Sequence, residues 1–554
     1  MAILIELVRV TGWVCQWMNC IRLCQAYAGT GGSMLNVLEL SRRLLVWSAV
    51  LVLSGCASVD FDYPKSESTA LRDTDDTYLG RQLSELDDPH PGESGFYLLT
   101  DGIDALASRI LIAERAERTL DAQYYLITND DIGFAFIGGL LRAADRGVRV
   151  RLLLDDIQTK GYDTGMAALD SHPNFEVRIF NPFGVRGARA LNFTDLGRVN
   201  RRMHNKSMTA DNQITIIGGR NIAAEYFAAH DDVNFGDVDV VGIGPIVHDV
   251  SDMFDLYWNH RQAAPVPAFA KMPDDPAVEL ERLRGRVEAA TQRLRETTYA
   301  DAFRESYSDA IEQDLATFTW ATYELVYDSP DKADKKKAKT AESIVTALDK
   351  AVQGAKWELI VVSPYFVPLK SGVKYLADLE ARGVDVIIVT NSLAATNHAV
   401  VHSGYVPYRK ALLESGVELR EVRPDAFVSG VDRVAQTDRG GAGASLATLH
   451  TKAFIVDRER FFLGSFNWDP RSVDINTELG VIMDSPELAG FAVGKLIETQ
   501  DEMTYEVVLN DKGKVRWVDR SGDEEVILDK EPQTGFWRRF SVGFYRLLPI
   551  KGQL

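Results

Sequence analysis

The sequence predicts an α/β protein made of two pseudo-symmetric α/β sandwich domains, each around a mainly parallel sheet. Three observations predict it. Four segments recur in the same order in the two halves of the chain. Within each half, helical stretches alternate with short Val-, Ile- and Leu-rich runs, such as "VRVRLLLD" (148–155) and "VDVIIVT" (384–390). Runs of that length read as buried strands, and their alternation with helices reads as parallel pairing. Each series then ends on the same histidine-centred motif.

Taken in order, the chain opens with a stretch holding Cys15, Cys20 and Cys24, which reads as an extension upstream of the working start at Met34. From Met34 a basic pair, Arg42 and Arg43, precedes an apolar run from Leu44 to Leu53 and small residues before Cys56. That is the pattern of a secretory signal, too short to span a bilayer. Its end, "LSGC", resembles the lipobox of bacterial lipoproteins. The resemblance implies lipidation of Cys56 and a lipid-anchored protein in the bacterial envelope, facing the periplasm. An uncleaved anchor helix is the alternative. No cysteine follows Cys56, which excludes disulfides and thiolate metal sites from the body. Residues 57–93 are polar and read as a flexible tether.

The first repeat is expected over 94–270, a helical and charged connector over 271–340, and the second repeat over 341–503. "AERTLDAQYYLITND" (116–130) parallels "AKWELIVVSPYFVPL" (355–369), and "AADRGVRVRLLLDD" (143–156) parallels "LEARGVDVIIVTNS" (379–392). "FEVRIFNP" parallels "VELREVRP" before each motif. The charge run 328–340 reads as a solvated loop or as a contact for anionic headgroups. The extension 504–554 ends in "FWRRFSVGFYRLLPI" (536–550), whose helical spacing puts Trp537, Phe540, Phe544, Leu547 and Leu548 on one side. Such a helix either lies in a membrane interface or packs its apolar stripe on the body. The net charge of −19 argues against a general nucleic-acid coat, so no nucleic acid is expected as partner.

The motif is "HNKSMTAD" (204–211) and again "HTKAFIVD" (450–457). Alternation sets His204 with Lys206, and His450 with Lys452, on one face of an extended segment. Asp211 and Asp457 complete the two motifs at the following turns, where they hold the hairpins. Asn221 and Asn467 follow at nearly equal offsets, in "GGRN" and "GSFN". Arg186, Arg189, Arg198, Arg201 and Arg202 lie on the approach to the first motif, as phosphate contacts or as a solvated loop.

The doubled motif, with its two asparagines, resembles the phospholipase D superfamily over about residues 94–503. "NRRMHNKSMTADNQITIIGGRNIAAEYF", "HSGYVPYRKALLESGVELRE" and "GSFNWDPRSVDINTELG" are similar to its bacterial cardiolipin synthase C group. The chemistry fits the duplication. Lys206 and Lys452 neutralise a phosphodiester, and Asn221 and Asn467 add hydrogen bonds. One imidazole attacks phosphorus while the other exchanges a proton with leaving and attacking oxygens. Two motifs are needed because one supplies a single histidine. By the resemblance His204 is the nucleophile and His450 the acid/base. Asp239 is expected to orient His204, and Glu478 to orient His450. No metal or cofactor is expected. The resemblance implies phosphatidyl transfer to phosphatidylglycerol from phosphatidylethanolamine or a second phosphatidylglycerol, at a membrane surface. It is compatible with an accessory protein. Hydrolysis of phospholipids uses the same histidines and stays open, as does, less favoured, a nuclease.

Overall fold

The computed structural model describes residues 59–87, 90–230, 233–312, 318–334, 336–426 and 446–547. Cys56, the signal-like segment and Leu548 lie outside them. Gly184–Thr194 belong with Val59 to a small compact unit, in which the Asn192 amide bonds the carbonyls of Val185 and Arg189. Everything below concerns the larger unit, residues 60–183 and 195 onward.

Its first half contains β1 (Ser94–Leu99), α1 (Gly102–Arg115), β2 (Thr119–Tyr124), α2 (Asp131–Asp145), β3 (Arg149–Asp155), α3 (Asp163–Asp170) and β4 (Phe175–Phe180). A hairpin follows, β5 (Ser207–Ala210) and β6 (Ile214–Gly218). Then come β7 (Val233–Gly236), β8 (Asp239–Ile243), α4 (Pro245–Asn259) and β9 (Ala263–Pro265). Two helices, α5 (Pro276–Arg295) and α6 (Thr298–Glu312), connect to the second half. That half contains β10 (Thr319–Tyr327), α7 (Ile344–Gln353), β11 (Glu358–Val362), α8 (Leu369–Glu380), β12 (Asp385–Asn391), α9 (Ala399–Tyr405) and β13 (Glu418–Val422). It continues with β14 (Leu446–Leu449), the hairpin β15 (Ala453–Val456) and β16 (Arg460–Gly464), β17 (Leu479–Asp484) and α10 (Pro486–Met503). The extension adds β18 (Thr504–Leu509), β19 (Val515–Asp519), β20 (Val526–Leu528) and α11 (Phe536–Tyr545).

Both halves lay their strands out alike. The spatial order is β1-β8-β6-β5-β2-β3-β4-β9 in the first and β10-β17-β16-β15-β11-β12-β13-β18 in the second. β1 and β10 pair antiparallel and join the halves into one sheet. The parallel part of each half is the three-strand run that helices connect, β2-β3-β4 and β11-β12-β13. The hairpins add antiparallel pairs, because a tight turn can only return the chain antiparallel. The α/β class therefore holds, with a mixed sheet.

One core fills the seam between the halves. Val240, Ile246, Met253 and Trp258 from the first half meet Ile455, Leu463, Val481 and Leu488 from the second. Separate cores lie under the outer helices of each half. Burying apolar side chains at the seam, at roughly 25 cal/mol per Å², holds the two halves together in one compact unit.

The segment read as a tether is laid across the first half from residue 60. Arg151 donates to the Ser68 carbonyl at 2.9 Å, Ala70 donates its amide to Asp255 at 2.8 Å, and Tyr78–Asp87 is helical. Its polar composition does not signal freedom. It is held by hydrogen bonds and, along its helix, by burial of Leu79 and Leu83 in the core of the first half. Among the described residues no helix is long and apolar enough to cross a membrane.

Candidate active site

The two hairpins supply the frame. β5–β6 turns at Asp211 and Asn212, both with positive φ, and β15–β16 at Asp457 and Arg458, also with positive φ. Two consecutive left-handed residues open a three-residue loop in each hairpin, 211–213 and 457–459, and aspartate and asparagine tolerate that conformation. The Asp211 carboxylate accepts the amides of Glu117, Arg118 and Thr119 at 2.8–2.9 Å. Asp457 accepts those of Lys356, Trp357 and Glu358 at 2.9–3.1 Å. Each aspartate clamps its hairpin to the strand beside it, β2 or β11. Both act on the frame rather than on the chemistry.

His204 and His450 precede β5 and β15 and are nearly buried. The segment bearing each one pairs with the opposite half. The His204 amide donates to the Thr477 carbonyl at 2.8 Å, and Met203 bridges Thr477 in parallel. Symmetrically, β14 pairs parallel with β7, and the His450 amide donates to the Gly236 carbonyl at 2.7 Å. The residue after each acceptor is acidic: Glu478 and Asp237. His204 Nδ1 sits 2.7 Å from Glu478 Oε2, and His450 Nδ1 sits 2.6 Å from Asp237 Oδ2.

This corrects the sequence-based pairing in two respects. Glu478 holds His204, not His450, because each motif strand crosses to the other half. Asp239 holds neither histidine. It pairs with Gly218 inside the sheet, where its carboxylate accepts Arg109 Nη2 at 2.7 Å and the Arg220 amide at 3.2 Å. The histidine partner is Asp237, two residues earlier, in the connection between β7 and β8. Sequence reasoning missed it because two carboxylates on alternate positions of one extended stretch look alike. The glycine pair before Arg220 is the signal that could have found it. A Cβ on Gly219 would lie 2.3 Å from Asp237 Oδ1, so the missing side chain makes room for this carboxylate. In the second half Ser465 stands at that place and its hydroxyl donates to Glu478 Oε2 at 2.5 Å. Gly219→Ala should therefore displace Asp237 and cut turnover on phospholipid by at least about tenfold, while circular dichroism stays native.

Backbone carbonyls receive both ammonium groups. Lys206 Nζ donates to the His204 carbonyl at 2.5 Å and Lys452 Nζ donates to that of His450. Lys452 Nζ also lies 2.7 Å from His450 Nδ1. That nitrogen cannot serve a cation while it gives its proton to Asp237, so the carboxylate is its partner. Burial pushes Lys206 down to about 7 and Lys452 down to about 8, against the pull of Glu478 and Asp237. Burial likewise lowers His204 to about 4 and, with Lys452, His450 to about 3, despite the carboxylates behind them. Burial would raise Glu478, but His204, Lys206 and Ser465 outweigh it and hold the carboxyl below its usual value. At neutral pH the site thus holds two neutral imidazoles, two carboxylates and two loosely protonated amines.

Asn221 donates to the Tyr226 hydroxyl at 2.8 Å, and the amide oxygens of Asn221 and Asn467 are buried without a partner among the described residues. Aromatic rings wall the histidines. Tyr125 packs edge-on to His204 at 4.9 Å, Tyr226 edge-on to His450 at 5.0 Å, and Phe235 stacks on His450 at 5.4 Å. The Tyr226 hydroxyl stands 3.4 Å from His450 Nε2. The approach arginines have structural partners: Arg198 binds Asp195 and Asn181, Arg201 the carbonyls of Lys332 and Asp474, and Arg202 Asp155. In the charge run, Asp328 is buried, paired with Lys332 at 2.9 Å, and accepts the Glu478 amide at 2.9 Å. Its role is to seat Glu478. Among the described residues no group of three or more His, Cys, Asp or Glu side chains is placed to hold a metal ion.

Known proteins are similar to this chain over both halves. The family described as "Cardiolipin synthase, PLD-like domain" matches residues 110–258 and 348–493, one copy in each half. The chain is 41% identical over 465 residues to cardiolipin synthase C of Escherichia coli K12, covering 83% of this chain and 96% of that protein. It is 23% identical over 400 residues to a cardiolipin synthase of Staphylococcus aureus Mu50, covering 71% of this chain and 64% of that one. A solved structure, phosphatidylserine synthase of Haemophilus influenzae, shares the fold with a TM-score of 0.51 at 11% identity, over 86% of this chain and all of that one. With both halves matched, and with this identity over nearly the full length of the Escherichia coli protein, the chain belongs to the cardiolipin synthase family of the phospholipase D superfamily.

Proposed function

We propose that this enzyme, a phosphatidyltransferase of the phospholipase D superfamily, makes cardiolipin by transferring a phosphatidyl group to a hydroxyl of phosphatidylglycerol. The donor is phosphatidylethanolamine or a second phosphatidylglycerol. The observation that carries the reading is the crossed pair of imidazole–carboxylate couples, His204 with Glu478 and His450 with Asp237, beside two buried lysines.

With Nδ1–H directed at a carboxylate, the neutral imidazole of His204 keeps its Nε2 lone pair for attack, and His450 enters the reaction as the imidazolium, with its second proton on Nε2. His204 Nε2 attacks phosphorus and the bond to the headgroup oxygen breaks. His450 Nε2 gives that oxygen a proton. The phosphatidyl group now sits on His204. The acceptor hydroxyl then attacks phosphorus, passes its proton to His450, and releases His204. The lysines hold the non-bridging oxygens throughout. The arriving anion offsets their charge, which raises the proton affinity of His450 and lets it serve as the acid. Tyr226 against His450 Nε2 breaks the symmetry and favours His204, which has no such neighbour among the described residues, as the nucleophile.

The test is lipid mass spectrometry of the purified protein with phosphatidylglycerol and phosphatidylethanolamine in mixed micelles. Cardiolipin is the expected product. Phosphatidic acid alone would replace the transferase with a hydrolase. The pH profile follows from the lysines. Both must be protonated to receive the phosphodiester, and protonation is lost as pH rises through about 7 and about 8. kcat/KM, which reports the free enzyme, should therefore fall as pH rises above 7–8. The limb in kcat should lie higher, because bound phosphate keeps the amines charged. The envelope location and lipid anchor on Cys56 stay part of this reading. They are supported by the signal-like sequence from Met34, and would be tested by radiolabelled palmitate incorporation.

A further inference from the structure

We propose that α11 is a docking element for an anionic phospholipid bilayer, and that it fixes the His450 wall of the active site at headgroup depth. The proposal rests on the lipid substrate read above, but its test is separate.

Among the described residues, five of the fifteen exposed large apolar side chains fall within Phe536–Leu547. Phe536 is 64% exposed, Trp537 76%, Phe540 57%, Phe544 54% and Leu547 81%. Scattered exposed apolar residues are ordinary, but a contiguous aromatic stripe marks a binding face. The stripe is also organised: Phe536, Trp537 and Phe540 pack on one another at 5.4–6.1 Å. Arg546 is exposed, and Arg539, partly exposed, donates to the carbonyl and hydroxyl of Thr534. Aromatics facing outward with arginines beside them suit the boundary between acyl chains and anionic headgroups.

The other face of α11 is committed to the protein. Val542 is buried, and Arg538 donates to the carbonyls of Leu393 at 2.8 Å and Thr396 at 2.6 Å. The tail thus does both things its sequence allowed, one on each face. The loop that Arg538 grips is bonded to the segment that leads to His450. Thr448 donates to the Ala395 carbonyl at 2.6 Å, Asn391 exchanges two 2.9 Å bonds with Leu449, and Tyr365, whose ring faces His450, donates to Asn397 at 2.9 Å. Hydrogen bonds and one ring contact, Tyr365 on His450, connect α11 to the wall of the site.

The test uses the full chain with vesicles of phosphatidylglycerol and phosphatidylcholine, the latter carrying brominated acyl chains. Brominated lipid should quench tryptophan emission in wild type, and much of that quenching should vanish in Trp537→Phe. A Trp537→Ser/Phe540→Ser variant should turn over long-chain lipid in vesicles at least about fivefold more slowly. Its turnover of monomeric short-chain phosphatidylglycerol should stay unchanged. Equal quenching in wild type and Trp537→Phe would overturn the proposal. So would an equal loss on the monomeric substrate, which would mean that α11 only supports the fold. A wild-type dimer that the double variant dissolves would assign the face to a second copy. If vesicles quench Trp537 but no cardiolipin forms, the function reading fails and the docking stands.

Discussion

Alanine at His204 should reduce cardiolipin formation by roughly 10³- to 10⁴-fold and should leave no phosphatidyl adduct on the protein, whereas alanine at His450 should lose comparable turnover yet still form the adduct from an activated donor. The asymmetry follows from what each nitrogen does. A nucleophile makes a bond to phosphorus that nothing else supplies. An acid is dispensable when the leaving group departs without a proton, as a nitrophenolate does. The site is nearly symmetric, so the experiment decides between the halves. The Tyr226 hydroxyl at 3.4 Å from His450 Nε2 is what tips the expectation toward His204. Intact-mass spectrometry after an acid-free quench would detect the phosphoramidate. Adduct on His204→Ala and none on His450→Ala would reverse the two roles.

The crossed carboxylates give the second large effect. Glu478→Gln and Asp237→Asn should each lower kcat by roughly 10²- to 10⁴-fold with little change in Tm, because an amide can stabilise the wrong tautomer and cannot stabilise the imidazolium. Asp239→Asn should behave in the opposite way. It removes the charge that faces Arg109, with both side chains at most 1% exposed. Breaking a buried pair from one side costs about 3–5 kcal/mol, so thermal unfolding should shift strongly, and activity should fall only as folded protein is lost. Tm by circular dichroism beside kcat by product formation separates the two cases. Full activity in Glu478→Gln, with a selective loss of activity in Asp239→Asn at unchanged Tm, would sink the crossed arrangement.

Much of the frame was readable in the residues. The repeated order of apolar runs gave two equivalent halves, and the strand orders of the two halves correspond pair by pair. Asp211 and Asp457 were readable as turn residues, since few side chains tolerate positive φ and fewer still can gather three backbone amides there. Histidine and lysine two apart on an extended segment were readable as partners by period alone. Residues 60–87 were misread, because polar composition predicts a free chain only where no hydrogen-bonding surface receives it.

What the sequence by itself determined is therefore the duplication, the α/β class and the hairpins with their histidine–lysine pairs, because each is written in local period or in turn chemistry. Which carboxylate meets which histidine was decided only by tertiary structure. That choice depends on β14 pairing with β7 and Met203 with Thr477, contacts between residues more than 200 positions apart. It depends as well on a two-residue step along one stretch that places Asp237 in the site and Asp239 in the sheet. Local period cannot carry such information, since a step of two leaves every side chain on the same face of an extended strand.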